Sequence, residues 1–188
     1  TRITRFSPSL QSAHRSRRSG GQAPGEFISL DHHLHELRLH KSREEVAALG
    51  RSARLAAKAH KRAMRVVRPG MTEYQLAAEI VHEFHRARAV PSYEPIVGGG
   101  ANACILHYIR NDQPLRDGDL VLVDAGAELD CYASDITRTF PVSGRFDEPQ
   151  RSLYEVVLAA QEAAIASVRP GASWDDPHTA ATRVICEG

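Results

Sequence analysis

The tripeptide Arg-Pro-Gly occurs twice, at residues 68–70 and 169–171, and each time it follows a long stretch with helical spacing of apolar residues. Proline disfavours helix at the residue before it, and glycine accepts the left-handed conformation that is common just past a helix end. Thr72 and Ser173 then supply a hydroxyl cap for a further helix. The order helix, turn, cap, helix therefore predicts a duplicated unit, whose second copy reaches Gly188 before any strands follow.

Three helix starts can be read from capping residues. Ser42 with Glu45 and Thr72 with Gln75 are capping boxes, and Asp147 begins the third helix. Helical spacing also predicts which residues face the core. They are Val46, Leu49, Ala53, Ala56, Ala57 and Met64 on the first helix, Leu76, Ile80 and Phe84 on the second, and Leu153, Val156, Val157, Ala160, Ala164 and Val168 on the third.

The stretch between the two copies, residues 91–142, has a different pattern. It contains four short runs rich in β-branched and aromatic residues, broken by Gly, Asn and Asp: YEPIVGGG, CILHYI, DLVLVDAGAEL and CYASDITRTFPV. These runs predict strands, so helices and strands are segregated along the chain and the predicted fold class is α+β. Gly98, Gly99 and Gly100 are similar to a phosphate-binding loop, but no P-loop lysine follows, and we interpret them as a flexible turn.

Asp124 and Asp135 lie in a segment that predicts a hairpin. With Leu129 and Asp130 at the centre of the turn the two aspartates are directly opposite, and with Asp130 and Cys131 they are diagonal neighbours. Both registers put the carboxylates on the same face, because side chains alternate with period two. Two like charges there are destabilising, and Mn²⁺ or Mg²⁺, which prefer oxygen ligands, would compensate for them. The alternative is that each aspartate caps a turn, and the spacing does not decide between these interpretations.

His107 lies in the predicted strand CILHYI, where its neighbours are apolar. A lone histidine in such a strand is more often a hydrogen-bonded core residue than a ligand. The functional alternative is a hydrogen-bond donor to a substrate carbonyl or to a developing oxyanion. Both interpretations stay open at this point.

The amino-terminal part of the chain is polar. Residues 1–25 contain five arginines and no acidic residue, with Ser, Gly and Pro throughout, which predicts a basic linker or tail. An organellar transit peptide is the alternative. A histidine cluster follows, which we interpret as a solvated connector in preference to a zinc site. Its members are His32, His33, His35 and His40.

Charge and cysteine usage argue against several classes of partner. The formal net charge is +1, which gives no overall field favouring nucleic acid or an anionic membrane surface. No apolar run approaches the length of a membrane span. The three cysteines, Cys104, Cys131 and Cys186, lie far apart in no CxxC pattern, which argues against a disulfide framework or a cysteine zinc site and favours the cytoplasm.

The run from Pro91 to Phe146 resembles the first half of the catalytic domain of the aminopeptidase P family of pita-bread metallopeptidases. VDAG followed by SDITRTF is a specific motif pair, and LHELRLHKSREEV and RPGMTEYQLAAEI resemble the helices that precede it. The resemblance begins at about Glu26 and covers most of the chain. Prolidases share much of this pattern, and methionine aminopeptidases share less of it.

This resemblance implies a site and an activity. Asp124 and Asp135 match the two aspartate ligands of a dinuclear metal centre usually filled with Mn²⁺, and His107 matches the histidine that contacts the substrate. The implied activity is removal of the amino-terminal residue from peptides with proline at the second position. The metal and the oligomeric state stay open, and a homo-oligomer is compatible with the resemblance.

The resemblance also implies how the chain is divided. Residues 26–188 would form a partial pita-bread catalytic domain, with its first half at about 41–145 and the start of the second at about 146–188. The family's other ligands, a histidine and two glutamates, would follow Gly188, so these 188 residues are expected to be a fragment that is inactive alone. The alternatives are a prolidase and a non-catalytic pita-bread module that binds peptide or protein. A full-length protein that binds metal is favoured because both aspartates are present.

Overall fold

The computed structural model describes residues 29–188, and the chain divides into two compact units between Ser42 and Arg43. In the first unit the described residues form helix α1, Asp31–Leu39, all of whose residues are exposed. It carries three of the clustered histidines, and the rings of His32 and His33 are 5.7 Å apart. The predicted basic linker at 1–25 lies outside the described residues.

The second unit, Arg43–Gly188, combines helices with short strands, in agreement with the predicted α+β class. No helix within residues 29–188 has the length and apolar character needed to cross a membrane. The helices and strands are α2 Arg43–Val66, α3 Glu73–Arg86, β1 Val90–Pro91, β2 Ile96–Gly99, a 3-10 helix Gly100–Cys104, β3 Leu120–Asp124, β4 Ala127–Leu129, β5 Tyr132–Ala133, β6 Thr137–Pro141, α4 Glu148–Ser167 and α5 Asp176–Glu187.

The strands form two antiparallel sheets that share one long hairpin. One sheet has the order β2-β3-β6 and the other the order β1-β4-β5, and the hairpin runs up through β3 and β4 and back through β5 and β6. Leu129 pairs with Tyr132, so Asp130 and Cys131 are the central turn residues, and the second of the two predicted registers is observed. Both have positive φ, 53° and 65°, as in the type I′ turn whose twist matches paired strands.

The core lies between α3 and the sheet β2-β3-β6. The three residues predicted to face inward from α3, Leu76, Ile80 and Phe84, are each 0 % exposed, which confirms that prediction. They belong to one cluster with Val97 and Val121 of the sheet. Burial of such large apolar side chains is the main stabilising term in a domain of this size.

The predicted inner face of α2 is correct only in part, because Ala56 is buried and Leu49 and Ala57 are partly buried, whereas other predicted residues are exposed. Val46 is 58 % exposed and Met64 is 41 % exposed. The residues that are buried are small or polar, namely Ala48, Ser52, Ala56, Ala59, His60 and Ala63. Small side chains let α2 approach α3, β4 and β5 closely, and the Ser52 hydroxyl donates a hydrogen bond to the Ala127 carbonyl of β4.

Both Arg-Pro-Gly elements end a helix, as predicted. Gly70 and Gly171 have φ of 87° and 84°, the left-handed conformation that glycine adopts without steric cost. After the second element, α5 begins at Asp176 and not directly after the predicted cap Ser173. The N–H of Ser173 donates to Asp176 Oδ2 at 3.0 Å, so the two residues close the turn that leads into the helix.

The three consecutive glycines do not form a flexible turn. Gly98 and Gly99 lie in β2, and Gly100, with φ 53°, begins the 3-10 helix. A Cβ at Gly98 would lie 2.9 Å from the Asn102 backbone, and one at Gly99 would lie 2.6 Å from Leu115 Cδ2. Glycine is therefore needed here because neighbouring chain segments pack against the strand.

Candidate metal centre

The two aspartates lie where the hairpin passes from one sheet to the other. Asp124 is the last residue of β3, and Asp135 lies between β5 and β6. The Tyr93 hydroxyl is 2.5 Å from Asp124 Oδ1 and 2.9 Å from Asp135 Oδ1. Because one hydroxyl contacts both, the two carboxylates face the same side of the hairpin, as predicted, and the observed register makes them diagonal neighbours.

Gly126 allows the strands to approach closely at this crossing. A Cβ at Gly126 would lie 1.7 Å from the Ser134 carbonyl oxygen, so no other residue fits without moving the backbone. The Gly126 carbonyl accepts from Ser92 N–H at 3.0 Å, and the Ser92 hydroxyl donates to the Ser134 carbonyl at 2.8 Å. These contacts fix the register, and the register decides which face Asp135 presents.

The aspartate pair has little compensation within the protein. Burial, followed by the hydrogen bonds to Asp124 and Asp135, raises the pKa of Tyr93, so the phenol stays protonated. A phenol carries one proton and cannot donate to two carboxylates at once. None of the ion pairs within residues 29–188 includes either aspartate. The uncompensated carboxylate oxygens are the ligands that a hard divalent cation prefers.

An open cleft of about 400 Å³ brings the three predicted site residues together. It is lined by Tyr93, Glu94, Ile96, His107, Ile109, Asp124 and Asp135. In the described part of the chain no group of three His, Cys, Asp or Glu side chains is placed to hold a metal ion together. His107 therefore lines the cleft without joining the two aspartates.

The segment around His107 is not a strand, so that prediction is wrong. His107 lies in a loop with φ 56°, and it is exposed, which also rules out the interpretation as a core histidine. Ile105 and Leu106, which suggested a strand, are 53 % and 86 % exposed. The loop instead buries Tyr108 and Asn111, at 7 % and 6 % exposure. Apolar residues alone did not make a strand here because no neighbouring strand pairs with them.

Tyr93 was missed by the sequence analysis. It lies between β1 and β2, in a segment that the pattern of apolar and aromatic residues describes only as strand-forming. Nothing in its spacing relates it to Asp124, 31 residues away, or to Asp135, 42 residues away. Its contact with both follows from the way the two sheets cross.

Comparison with known proteins gives consistent matches. Residues 47–188 match metallopeptidase family M24. The chain is 47% identical to an Xaa-Pro aminopeptidase of Escherichia coli strain K12 over 180 residues, which is 95% of this chain and 41% of the relative. The structure of Pseudomonas aeruginosa aminopeptidase PepP superimposes with a TM-score of 0.92 at 49% identity, covering 98% of this chain and 42% of that one. Zinc-substituted Escherichia coli aminopeptidase P in complex with product gives a TM-score of 0.89 at 47% identity, covering 95% and 41%.

The chain thus spans about two fifths of the length of the relatives it matches. The structural matches confirm the expected pita-bread fold, of which this chain forms a part. With nearly half of its residues identical to an aminopeptidase over almost its whole length, and three quarters of it matching the family, the chain belongs to metallopeptidase family M24.

Proposed function

We propose that the whole protein is an Xaa-Pro aminopeptidase, which removes the amino-terminal residue from peptides with proline at the second position. The observation that carries this proposal is the pair Asp124 and Asp135, whose carboxylates share a single phenol donor in an open cleft with an exposed histidine. The similarity to Xaa-Pro aminopeptidases supports the substrate class.

The donor set fits a divalent metal centre. Two carboxylates on one face, without a cationic partner, offer hard oxygen ligands that suit Mn²⁺, and a pair of such ligands can be shared between two ions. We propose a dinuclear Mn²⁺ centre, completed by residues outside this chain. A bound divalent metal supplies Lewis-acid polarisation of the substrate carbonyl and a nucleophile made from water at neutral pH.

The chain's own residues have separate roles in this proposal. Asp124 and Asp135 hold the cation, and the Tyr93 hydroxyl, which can donate to one carboxylate at a time, orients whichever of the two it bonds. His107 is exposed at the same cleft and does not join the ligands, so its ring can donate to a substrate carbonyl or to the oxyanion that develops from it.

Substrate specificity and metal dependence can be tested together on the whole protein. We expect release of the first residue from Xaa-Pro-Yaa tripeptides but not from Xaa-Ala-Yaa tripeptides, loss of this release with a chelator, and recovery with Mn²⁺. Equal release from both peptides, or release that resists chelation, would contradict the proposal. Cleavage restricted to Xaa-Pro dipeptides would identify a prolidase instead.

The 188 residues alone are expected to be inactive. Within residues 29–188 no third His, Cys, Asp or Glu converges on the aspartate pair, so a catalytic centre with three or more protein ligands cannot close. The measurement is Mn²⁺-dependent release of the first residue from an Xaa-Pro peptide by this chain. Robust turnover would show that two carboxylates suffice.

A further inference from the structure

Glu73 is a buried carboxylate outside the metal cleft. It is the first residue of α3 and is 0 % exposed. Its Oε1 accepts from Gly99 N–H at 2.9 Å and from Asn102 Nδ2 at 3.0 Å. Its Oε2 accepts from the Tyr108 hydroxyl at 2.8 Å and from Gln113 N–H at 3.0 Å. Four donors therefore converge on one side chain.

All four donors belong to one segment, residues 99–113, and that segment carries His107. Gly99 and Asn102 lie near its start, and Tyr108 and Gln113 lie near its end, so Glu73 joins the two sides of the loop. Between Gly99 and Gln113 the segment has no strand pairing, and at its far end the Glu73 N–H donates to the Gln113 carbonyl at 3.0 Å.

The backbone at His107 needs such support. Its φ of 56° is a left-handed conformation that a residue with a Cβ adopts only when its surroundings impose it. The next residue, Tyr108, is 7 % exposed and is fixed through its hydroxyl to Glu73. A second anchor lies beyond it, where the Asn111 side chain accepts from Val97 N–H at 2.9 Å and donates to the Pro95 carbonyl at 2.8 Å. His107 thus lies just ahead of two anchored residues.

The charge of Glu73 is compensated by the loop. No ion pair of the described residues includes Glu73, so its charge is compensated by hydrogen bonds from the loop. A buried carboxylate is costly unless every lone pair direction is satisfied. The cost is met entirely by donors from the segment that presents His107 to the cleft.

We propose that Glu73 is a positioning residue, which holds the loop so that the His107 ring lies at the substrate side of the metal cleft. The part of this proposal that concerns turnover rests on the proposed aminopeptidase function. The part that concerns loop order does not.

Glu73→Gln is the informative variant because it keeps the size and shape of the side chain. In either orientation its amide NH₂ faces a backbone N–H, that of Gly99 or that of Gln113, and cannot accept from it. The matched control is Glu83→Gln. Glu83 lies on the same helix at 4 % exposure, but it pairs with the α2 residue Lys58 and not with the loop.

The first readout is amide hydrogen exchange in the whole protein. Glu73→Gln should raise exchange across residues 99–113 by roughly tenfold or more, since the loop then opens without full unfolding. Glu83→Gln should leave these amides as they are in the wild type. Unchanged exchange in the loop of Glu73→Gln would overturn the proposal.

The second readout is a double-mutant cycle with His107→Ala. In the wild-type background Glu73→Gln should lower kcat by roughly 10- to 100-fold with metal content unchanged, because misplacing a positioned group by about 1 Å has effects of this size. In the His107→Ala background it should have no further effect. An equal loss in both backgrounds would show that Glu73 does not act through His107.

If Glu73→Gln does not fold, Tyr108→Phe removes one of the four donors, and the same two readouts should move in the same direction by a smaller factor. If the wild-type protein does not cleave Xaa-Pro peptides, the proposed function fails, and loop exchange in Glu73→Gln alone decides whether Glu73 orders the loop.

Discussion

The two helix pairs joined by Arg-Pro-Gly share the turn that ends their first helix, but they differ greatly in burial. In the first pair, the apolar face of α3 is fully buried, with Ile80 and Phe84 at 0 % exposure. In the second pair, Leu153 and Val157 of α4 are 64 % and 54 % exposed, and Ala160 is the one buried residue of that helix. Capping residues and glycines therefore decide where a helix begins and ends, whereas its burial depends on whether a sheet covers it.

The covering sheet also decides which pair supports the site. Helix α3, which begins at Glu73, packs on β2. Strand β2 pairs with β3, and β3 ends at Asp124. α4 instead borders a cleft of about 390 Å³ beside β3 and β6, lined largely by apolar side chains. That cleft contains neither aspartate and lacks His107. The first pair thus supports the candidate metal centre, and the second does not.

The largest expected difference between the pairs is in core stability. In the 188-residue chain, Phe84→Ala should lower the free energy of unfolding by about 3 to 5 kcal/mol, because it removes a buried aromatic ring and leaves a cavity. Leu153→Ala should change it by about 0.5 kcal/mol or less, as is usual for an exposed position. Urea unfolding of both variants measures the two values. If Leu153→Ala lowered the free energy of unfolding by nearly as much as Phe84→Ala, the face of α4 that carries Leu153 would be buried in solution.

A smaller effect is expected at the two glycines. Gly70 and Gly171 both have positive φ, and a Cβ at either would meet no atom within 4 Å, so alanine adds backbone strain and no clash. Gly70→Ala should lower the global free energy of unfolding by about 1 kcal/mol. Gly171→Ala should instead increase amide exchange around the second turn, since the less buried pair opens locally. Equal global effects would show that the two pairs unfold together.

The smallest expected difference is in pH dependence. The hydrogen bond from Lys58 lowers the pKa of Glu83 below its ordinary value of 4.5, burial opposes this, and the charges of Lys58 and Arg62 add to the lowering. A depressed pKa stabilises the fold above the unfolded pKa, and this stabilisation is lost as pH falls through the folded value. Glu83→Gln should therefore reduce the loss of stability below about pH 4.5.

The matched control for this pH effect is on α4. Glu155 pairs with Arg151 at 2.8 Å, but both side chains are exposed, at 60 % and 72 %. Such a pair contributes little to stability. The urea midpoint, measured between pH 3 and pH 7, should depend on pH differently from the wild type in Glu83→Gln and in the same way as the wild type in Glu155→Gln. The same change in both variants would remove the distinction between the pairs.

The sequence predicted the parts of the fold that depend on large apolar residues with clear spacing. Leu76 and Phe84 are such residues, and their face was identified correctly. The inner face of α2 was predicted only in part: Ala56 is buried as expected, but Ser52 and His60 are buried as well, and as polar residues they were not assigned to that face. The helical spacing of apolar residues does not reveal polar residues that are buried where two elements pack closely.

The site was predicted in part for a related reason. The common face of Asp124 and Asp135 follows from period-two alternation in either register. The choice of register depended on a turn in which Asp130 and Cys131 both adopt positive φ without a glycine, and no local pattern indicates that. The loop at His107 depends on Glu73, which in the sequence is an ordinary acidic residue in the first turn of a helix.

In the proposed site Asp124 and Asp135 hold a divalent cation while His107 meets the substrate. The most direct measurement is the metal content of the purified whole protein, determined beside turnover for Asp135→Ala and His107→Ala. Asp135→Ala should lose both metal and activity. His107→Ala should keep its metal and lose roughly 10²- to 10³-fold in turnover, the usual cost of removing one donor to an oxyanion. Wild-type metal content in Asp135→Ala, or loss of metal in His107→Ala, would contradict the account.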